Sequence, residues 1–445
     1  MLKKIIIMVF ILVTVGFVTA QSDKNVIYLS WDKVVDISLN DNLTLKSKLL
    51  DYEAQNKEEW KAYTSFLPTV TYQATAVKNV ELPVFVFMGQ QISVGSKYSF
   101  QHSLDLTLPV FTGGMRWFNL AAQKNLRKSL SEELKGQEAK TVLGALQSYY
   151  GIMLAEELSQ TAEEAVKVSK ENLDQVEKFY NAGTATELDL QRARAQYYST
   201  LPQMQSASSG RYLAYQRLKT ILNISLDDSL SITDSLGSRN FLNEYTTYSL
   251  AELKNLAQEG RNDLKSLEFQ REATNESSKM SLAQFAPTIA VSANLTQQAQ
   301  TETSKLMWND YIRSKSIALS VSWPLFEGGK RILDYQIAEI RNDQMELALS
   351  QAKDGASLDV EEKFYNYQNA EKSLNSLQQT MQQSKESLRI STLMYHNGLS
   401  TQLDVLNSQL LYTNSKAEYL RGIYNYNISQ LELLQSVGLM DKVWK

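Results

Sequence analysis

The amino-acid sequence predicts an α+β chain, mainly α-helical, made of two similar halves. Two duplicated motifs and a pair of long proline-free spans predict it. Residues 108–116, Leu-Pro-Val-Phe-Thr-Gly-Gly-Met-Arg, recur at 323–331 as Trp-Pro-Leu-Phe-Glu-Gly-Gly-Lys-Arg, and 324 − 109 = 215. Tyr180-Asn181-Ala182-Gly183, followed by Leu188-Asp189-Leu190, recurs as Tyr395-His396-Asn397-Gly398, followed by Leu403-Asp404-Val405, and 395 − 180 is again 215. Two motifs at one offset mean an internal duplication. After each Gly-Gly pair comes a stretch without proline, residues 115–180 and 330–395. As continuous helix either would be roughly 99 Å long at 1.5 Å per residue.

The chain opens with Met1-Leu2-Lys3-Lys4 and an apolar run from Ile5 to Val18 that ends on small residues at Ala20. Residues 1–20 read as a secretory signal, too short for a comfortable membrane anchor. There is no cysteine, which excludes disulfides, thiolate metal sites and lipid attachment at an N-terminal cysteine. Forty-five Lys and Arg against 49 Asp and Glu, with a pI near 5.6, argue against a nucleic-acid partner.

Residues 31–65 read as helical with a break at Asn40-Asp41-Asn42, ended by Phe66-Leu67-Pro68; Phe285-Ala286-Pro287 ends the corresponding helix of the second half. A period of two follows each proline. In residues 69–77, Val70, Tyr72, Ala74 and Ala76 oppose Thr69, Thr71, Gln73 and Thr75, and residues 99–108 set Phe100, Leu104, Leu106 and Leu108 against Ser99, Gln101, Ser103, Asp105 and Thr107. The second half repeats the pattern with Ile289, Val291, Ala293 and Leu295, and again with Ile317, Leu319, Val321 and Trp323. Each segment has about ten residues, enough for a tilted strand to cross a bilayer with one apolar and one small polar face. A soluble sandwich with one wet face is the bland alternative. Tyr98, Phe100, Trp308, Tyr311 and Trp323 stand near strand ends, where interfacial aromatics are expected.

Pro109 and Pro324 are expected to end strands, since proline has no ladder donor, and Gly113, Gly114, Gly328 and Gly329 to take positive φ in the turn into a helix. The strand-linking loops are residues 78–97 and 297–313. The first holds the apolar run Pro83-Val84-Phe85-Val86-Phe87-Met88, for which packing of the loop is the simplest reading. In the first long span Val142, Leu146, Tyr149, Met153 and their neighbours step by three and four, as in helices packed side by side. Gly136, Gly144, Gly151 and Gly355 are expected at close helix contacts. The turns Asn181-Ala182-Gly183 and His396-Asn397-Gly398 read as helix hairpins, with Thr186 and Ser400 or Thr401 capping return helices to about Leu222 and Val437, the first kinked at Pro202. Residues 223–247 read as the connection between halves.

Four strands cannot close a membrane barrel, and open edges are forbidden in lipid, so several chains must share one. The paired turns resemble those of the TolC-type outer-membrane efflux and secretion channels over nearly the whole mature chain. That resemblance implies a homotrimer with a shared 12-stranded transmembrane β-barrel continued by a long periplasmic α-helical barrel. Residues 21–230 would be the first structural repeat and 231–445 the second. It also implies a passive duct taking cargo from an inner-membrane transporter through a periplasmic adaptor docked on the hairpin tips, marked by Gly183 and Gly398. Outer-membrane lipid would be a further partner. Asp404 would form a ring of acids at the periplasmic gate, and Asp189 and Tyr395 would belong to the links that hold it closed. Ser400 stands where an arginine link can occur and Asn407 where a second acid ring can, which implies a thinner charge network and weaker cation selectivity.

No catalytic constellation, cofactor motif or metal site is found in the sequence. Gly328-Gly329-Lys330 lacks the earlier glycine of a phosphate loop, because position 324 is proline. His102 reads as a barrel-wall residue and His396 as a solvated turn residue. Asp189 and Asp404 have an ordinary reading too, as acids in the first turn of a helix favoured by its dipole. A structural or adhesive surface stalk using the same helices is the alternative function.

Overall fold

The structure, a computed structural model, describes residues 26–444; the expected signal segment lies outside the described residues. In chain order the elements are β1 (Val26–Leu29), α1 (Trp31–Asp41), α2 (Leu43–Thr64), β2 (Thr69–Lys78), β3 (Val84–Phe87), β4 (Gln90–Ser93), β5 (Tyr98–Thr112), α3 (Met115–Asn181), α4 (Glu187–Ile221) and β6 (Ser229–Ile232). Then come α5 (Leu250–Gly260), α6 (Asn262–Ala283), β7 (Thr288–Thr301), β8 (Ile312–Ser322), α7 (Lys330–His396) and α8 (Gln402–Val437). The long helices α3 and α7 have 67 residues each and run about 100 Å. Among the described residues no helix is long and apolar enough to cross a membrane.

The α1–α2 break falls at Asn42, which leaves the helical region at ψ 125° and accepts a hydrogen bond from Leu45 N–H. Its counterpart is Arg261 between α5 and α6, at φ −64° and ψ 124°. The offset here is 261 − 42 = 219, and it becomes 215 after the strands because the strand-linking segment is four residues shorter in the second half.

The four-stranded sheet has the order β2-β5-β7-β8 with every pair antiparallel, so β2 and β8 are open edges. The register lines up Val70, Leu106, Ala293 and Ile317 on one face and Thr71, Asp105, Asn294 and Ser316 on the other. All four alternating segments are strands of this sheet. Pro109, however, does not end its strand. β5 continues to Thr112 because a bulge at Val110, between Pro109 paired with Ala290 and Phe111 paired with Ile289, restarts the ladder past the residue that has no N–H to give. The second copy behaves as expected, with β8 ending before Pro324. β7 reaches Thr301 and β8 starts at Ile312, so the second loop is shorter than the sequence implies.

Residues 78–97 contain a hairpin, β3–β4, turned at Met88 and Gly89, which both have positive φ. The apolar run does not pack there: Val84, Phe85, Val86, Phe87 and Met88 are all exposed. Two of the four glycine-bearing sites also depart from close packing in the first long helix. A Cβ on Gly136 would touch Asn262, but Gly144 and Gly151, like Gly355 in α7, have nothing within 4 Å. Gly422 in α8 makes the close approach instead, since a Cβ there would lie 2.8 Å from Leu377 Cδ1. Helix α4 is continuous through Pro202.

The main core lies midway along the helices. Tyr149, Tyr150, Leu146 and Ile152 of α3 pack with Val34, Leu218, Leu222 and Leu431, each large apolar side chain contributing about 1.5–3 kcal/mol. β1 and β6 pair in parallel beside this core. The link between halves is held against α8 by two fully buried amides. Asn427 accepts from Arg239 N–H and donates to Gly237 O, while Gln430 accepts from Phe241 N–H and donates to Arg239 O.

Candidate functional site

The two ends of each long helix carry the duplicated motifs, and the same interactions recur at both copies. At the strand-to-helix corners Gly113 and Gly114 have φ of 63° and 88°, and Gly328 and Gly329 have φ of 60° and 85°. A residue the motif contained but its sequence did not explain now has a role. Arg116 donates to Ser65 O and to Pro109 O and lies over the Phe66 ring; Arg331 donates to Gln284 O and lies over the Phe285 ring. Each arginine thereby ties the start of a long helix to the C-terminal end of the preceding short one, satisfying carbonyls that the helix leaves open.

At the opposite ends are the hairpins. Gly183 and Gly398 have φ of 74° and 72°, and their N–H groups bond Tyr180 O and Tyr395 O at 2.9 and 3.0 Å. Thr184 N–H to Phe179 O and Leu399 N–H to Met394 O complete the left-handed helix ends. Thr186 and Thr401 cap the return helices in reciprocal boxes. Asp189 Oδ2 accepts from Thr186 N–H and Oγ1 at 3.1 and 2.6 Å, and Asp404 Oδ2 from Thr401 N–H and Oγ1 at 3.0 and 2.6 Å. Asp404 also accepts from Ser400 Oγ at 2.9 Å. The hydroxyl of Thr401, its N–H and Ser400 together hold the Asp404 carboxyl below the ordinary carboxylate range. Midway along each hairpin a hydroxyl pair crosses the seam, Ser169 with Thr200 and Ser384 with Ser415, both members offset by 215.

The structure brings some of the predicted gate residues together. Tyr395 is half-buried, edge-on to Phe179 with ring centroids 6.1 Å apart. Its phenol is pushed up first by burial and then by the charge of Asp189. No hydrogen bond joins the two among the described residues of a single chain. Asp404 is bonded within its own hairpin and does not act on Tyr395. His396 accepts from Gln175 at 2.8 Å, and Lys416 pairs with Glu164 at 2.7 Å, so the two hairpins are tied at several heights. One residue at the tip carried no sequence signal. Gln402, 2 % exposed, has no partner on either amide atom among the described residues. Its first-half counterpart is Glu187 (402 − 215), the carboxylate that pushes the Tyr180 phenol up. His102, in β5, bonds the Tyr72 and Tyr311 hydroxyls, and among the described residues no cluster of three or more His, Asp or Glu is suited to a metal.

Comparison with known proteins identifies the family to which this fold belongs. The family model described as "Outer membrane efflux protein" matches residues 34–223 and 253–439. The chain belongs to the outer membrane efflux protein family. Among curated members, the outer membrane protein TolC of Escherichia coli K12 is 22 % identical over 348 residues, 76 % of this chain and 69 % of TolC. The outer membrane protein OprJ of Pseudomonas aeruginosa is 24 % identical over 416 residues, 91 % of this chain and 83 % of OprJ. The fold matches the Campylobacter jejuni CmeC outer membrane channel with TM-score 0.80 at 17 % identity, over 92 % of this chain and 85 % of that one. The CusC structure matches with TM-score 0.77 at 18 % identity, over 92 % of both chains. As an outer membrane efflux protein the chain is an outer-membrane channel with a long periplasmic helical part, and it is a conduit rather than an enzyme.

Proposed function

We propose that three copies of this chain close one 12-stranded barrel and one helical barrel, a passive duct from the periplasm to the outside. The observation that carries this reading is the pair of open edges. In the order β2-β5-β7-β8 the strands alternate in direction, so β8 of one copy meets β2 of the next antiparallel and the pattern continues around a closed barrel. Nearly the whole length of β2 and β8 is exposed in the single chain, as strands awaiting lipid and a neighbour are. The two structural repeats, residues 21–230 and 231–445, would then place six hairpins around the axis.

At the periplasmic end Asp404 of each copy faces the axis and Asp189 and Tyr395 hold neighbouring hairpins together, so the resting entrance is narrow. The turns at Gly183 and Gly398 receive the periplasmic adaptor, which connects the duct to an inner-membrane transporter. Three symmetry-related carboxylates in a narrow opening concentrate negative potential and favour cations. Support for the gate comes from the field of Asp189 on Tyr395 and from the carboxyl of Asp404 being held ionised. Planar-bilayer recording tests the reading: a small resting conductance that rises in Tyr395→Phe supports it, and purified protein that never conducts refutes it.

A further inference from the structure

The charges of the four-stranded sheet are sorted by face. β2, β5, β7 and β8 contain three cations, Lys78, Arg313 and Lys315, and one acid, Asp105. Strand parity and register put all three cations on the face of Val70, Leu106, Ala293 and Ile317, which turns to lipid. Asp105, bonded by Asn294, is on the opposite face. The chain as a whole carries a net charge of −4, so an all-cation apolar face is not a reflection of composition.

The cations also gather at one end. Lys78 is the last residue of β2, and Arg313 and Lys315 are the second and fourth of β8, all at the loop end of the sheet, away from the helices. Since the helices are periplasmic, that end lies in the outer leaflet. The helix end of the same face is apolar through Leu106, Ile289, Leu319 and Val321. Beside the cations, on the same face, the imidazole of His102 is bonded by the hydroxyls of Tyr72 and Tyr311 at 2.8 and 2.9 Å, a polar row spanning the sheet from one edge strand to the other. Among the described residues Arg313 and Lys315 make no ion pair and no side-chain hydrogen bond, and both are exposed.

A cation on the lipid face of a membrane barrel is tolerated only near headgroup level. Two unpaired cations two residues apart on one strand, with Tyr311 two residues before Arg313 on the same face, match an anion that is itself anchored in the bilayer. We propose that Arg313 and Lys315, flanked by the Tyr72–His102–Tyr311 row, form a binding site for the phosphate groups of an anionic outer-leaflet lipid. Arg313 supplies the planar fork that holds phosphate oxygens and Lys315 a flexible second charge, while the acyl chains lie along Ile317, Leu319 and Val321. The β8 edge is where the next copy joins, so a bound lipid would lie along the seam between subunits. That last point rests on the trimeric reading; the binding itself does not.

Native mass spectrometry of the full mature protein in phosphatidylethanolamine nanodiscs, titrated with diphosphoryl lipid A, tests the site, with bound lipid counted per chain. Each basic residue near an anionic membrane surface contributes roughly fivefold, so Arg313→Gln with Lys315→Gln should weaken lipid A binding about thirtyfold. The charge-preserving pair, Arg313→Lys with Lys315→Arg, should retain it. Inorganic phosphate should not displace the lipid at millimolar concentration, and phosphatidylcholine should not saturate the site. Equal lipid A binding by wild type and the double glutamine variant would show that the cations merely reach for water. Displacement by inorganic phosphate would make this a free-anion site and overturn the lipid assignment.

Discussion

Replacing Gly113 by alanine should damage the barrel-to-helix corner far more than the same change at its duplicate, Gly328. Both glycines have nearly the same left-handed φ, 63° and 60°, so the backbone cost of adding a Cβ is shared, about 1–2 kcal/mol for an L-residue held there. What differs is the space. A Cβ at Gly113 would lie 2.4 Å from Ala283 O and 2.7 Å from Ala286 Cβ, whereas at Gly328 nothing lies within 4 Å. Ala283 is the last residue of α6 and its carbonyl is backbone, so relief requires the corner to move by about 1 Å, and overpacking of that kind costs typically 1–3 kcal/mol more. The expected loss is therefore about 2–5 kcal/mol for Gly113→Ala and about 1–2 kcal/mol for Gly328→Ala. Thermal unfolding of both variants in detergent, followed by far-ultraviolet circular dichroism at one fixed scan rate, compares them directly. Equal losses would mean that positive φ alone governs these corners, or that a neighbouring chain fills the space at Gly328, and either result would sink the packing argument.

Gly183→Val and Gly398→Val leave the space around the turns free but force a β-branched residue to positive φ, so crosslinking to the periplasmic adaptor should fall in both. Unchanged crosslinking would place docking elsewhere. Gln402→Glu restores at the second hairpin the acid that Tyr180 finds at Glu187, so it should draw Tyr395 to its own hairpin and raise resting conductance as Tyr395→Phe does; a response to Tyr395→Phe alone would clear Gln402 of that role. Arg261 bonds Asp263 at 2.8 and 3.0 Å, Asp359 at 2.6 Å and Ser436 O at 3.1 Å, joining α6 to α7 and α8. Arg261→Leu should cost about 1–3 kcal/mol, no more, because both carboxylates are over a third exposed and solvent screens them. Burial alone would raise the Asp263 carboxyl, but the Arg261 guanidinium outweighs it and holds the group below its ordinary value. That contribution is complete above the unfolded value near 3.9 and is lost as the pH falls through the lower folded value. Acid unfolding should therefore be steeper below pH 4 in wild type than in Arg261→Leu, and parallel curves would contradict the linkage.

Long helices and duplicated turns were legible because their signals are local. A proline-free span bounded by Gly-Gly and Asn-Gly fixes a helix to within a residue, and the α7 expectation of residues 330–395 meets an observed Lys330–His396. The capping hydroxyls and the first-turn acids Asp189 and Asp404 were equally local, while the bonds from each acid back to Thr186 or Thr401 appear only in the structure. Pro109 misled because a bulge, which depends on the partner strand, keeps the ladder going past it. The β1–β6 pair escaped notice since four-residue strands 203 positions apart (229 − 26) declare their pairing only after the halves have packed. Gly144, Gly151 and Gly355 show the same limit from the other side: a helical glycine permits close approach but does not name a partner. The site divides likewise. Which acid acts on Tyr395, and that Gln402 is buried without a partner, depends on how two hairpins meet, and no spacing within either hairpin encodes that.

The shared barrel is tested most directly by disulfide mapping between its open edges. The chain has no cysteine, so paired cysteines can be introduced on the polar face, at Thr71, Gln73 or Thr75 of β2 and at Ser314, Ser316 or Ser320 of β8. Within one chain these strands are separated by β5 and β7, three spacings or about 14 Å, beyond the roughly 7 Å that a disulfide spans between Cα atoms. Any crosslink must therefore join two chains. In a barrel shared by three chains one register of pairs oxidises efficiently in the outer membrane and gives dimers and trimers, with nothing larger, on a denaturing gel. Absence of crosslinking at every register, or a ladder that continues past three chains, would contradict it.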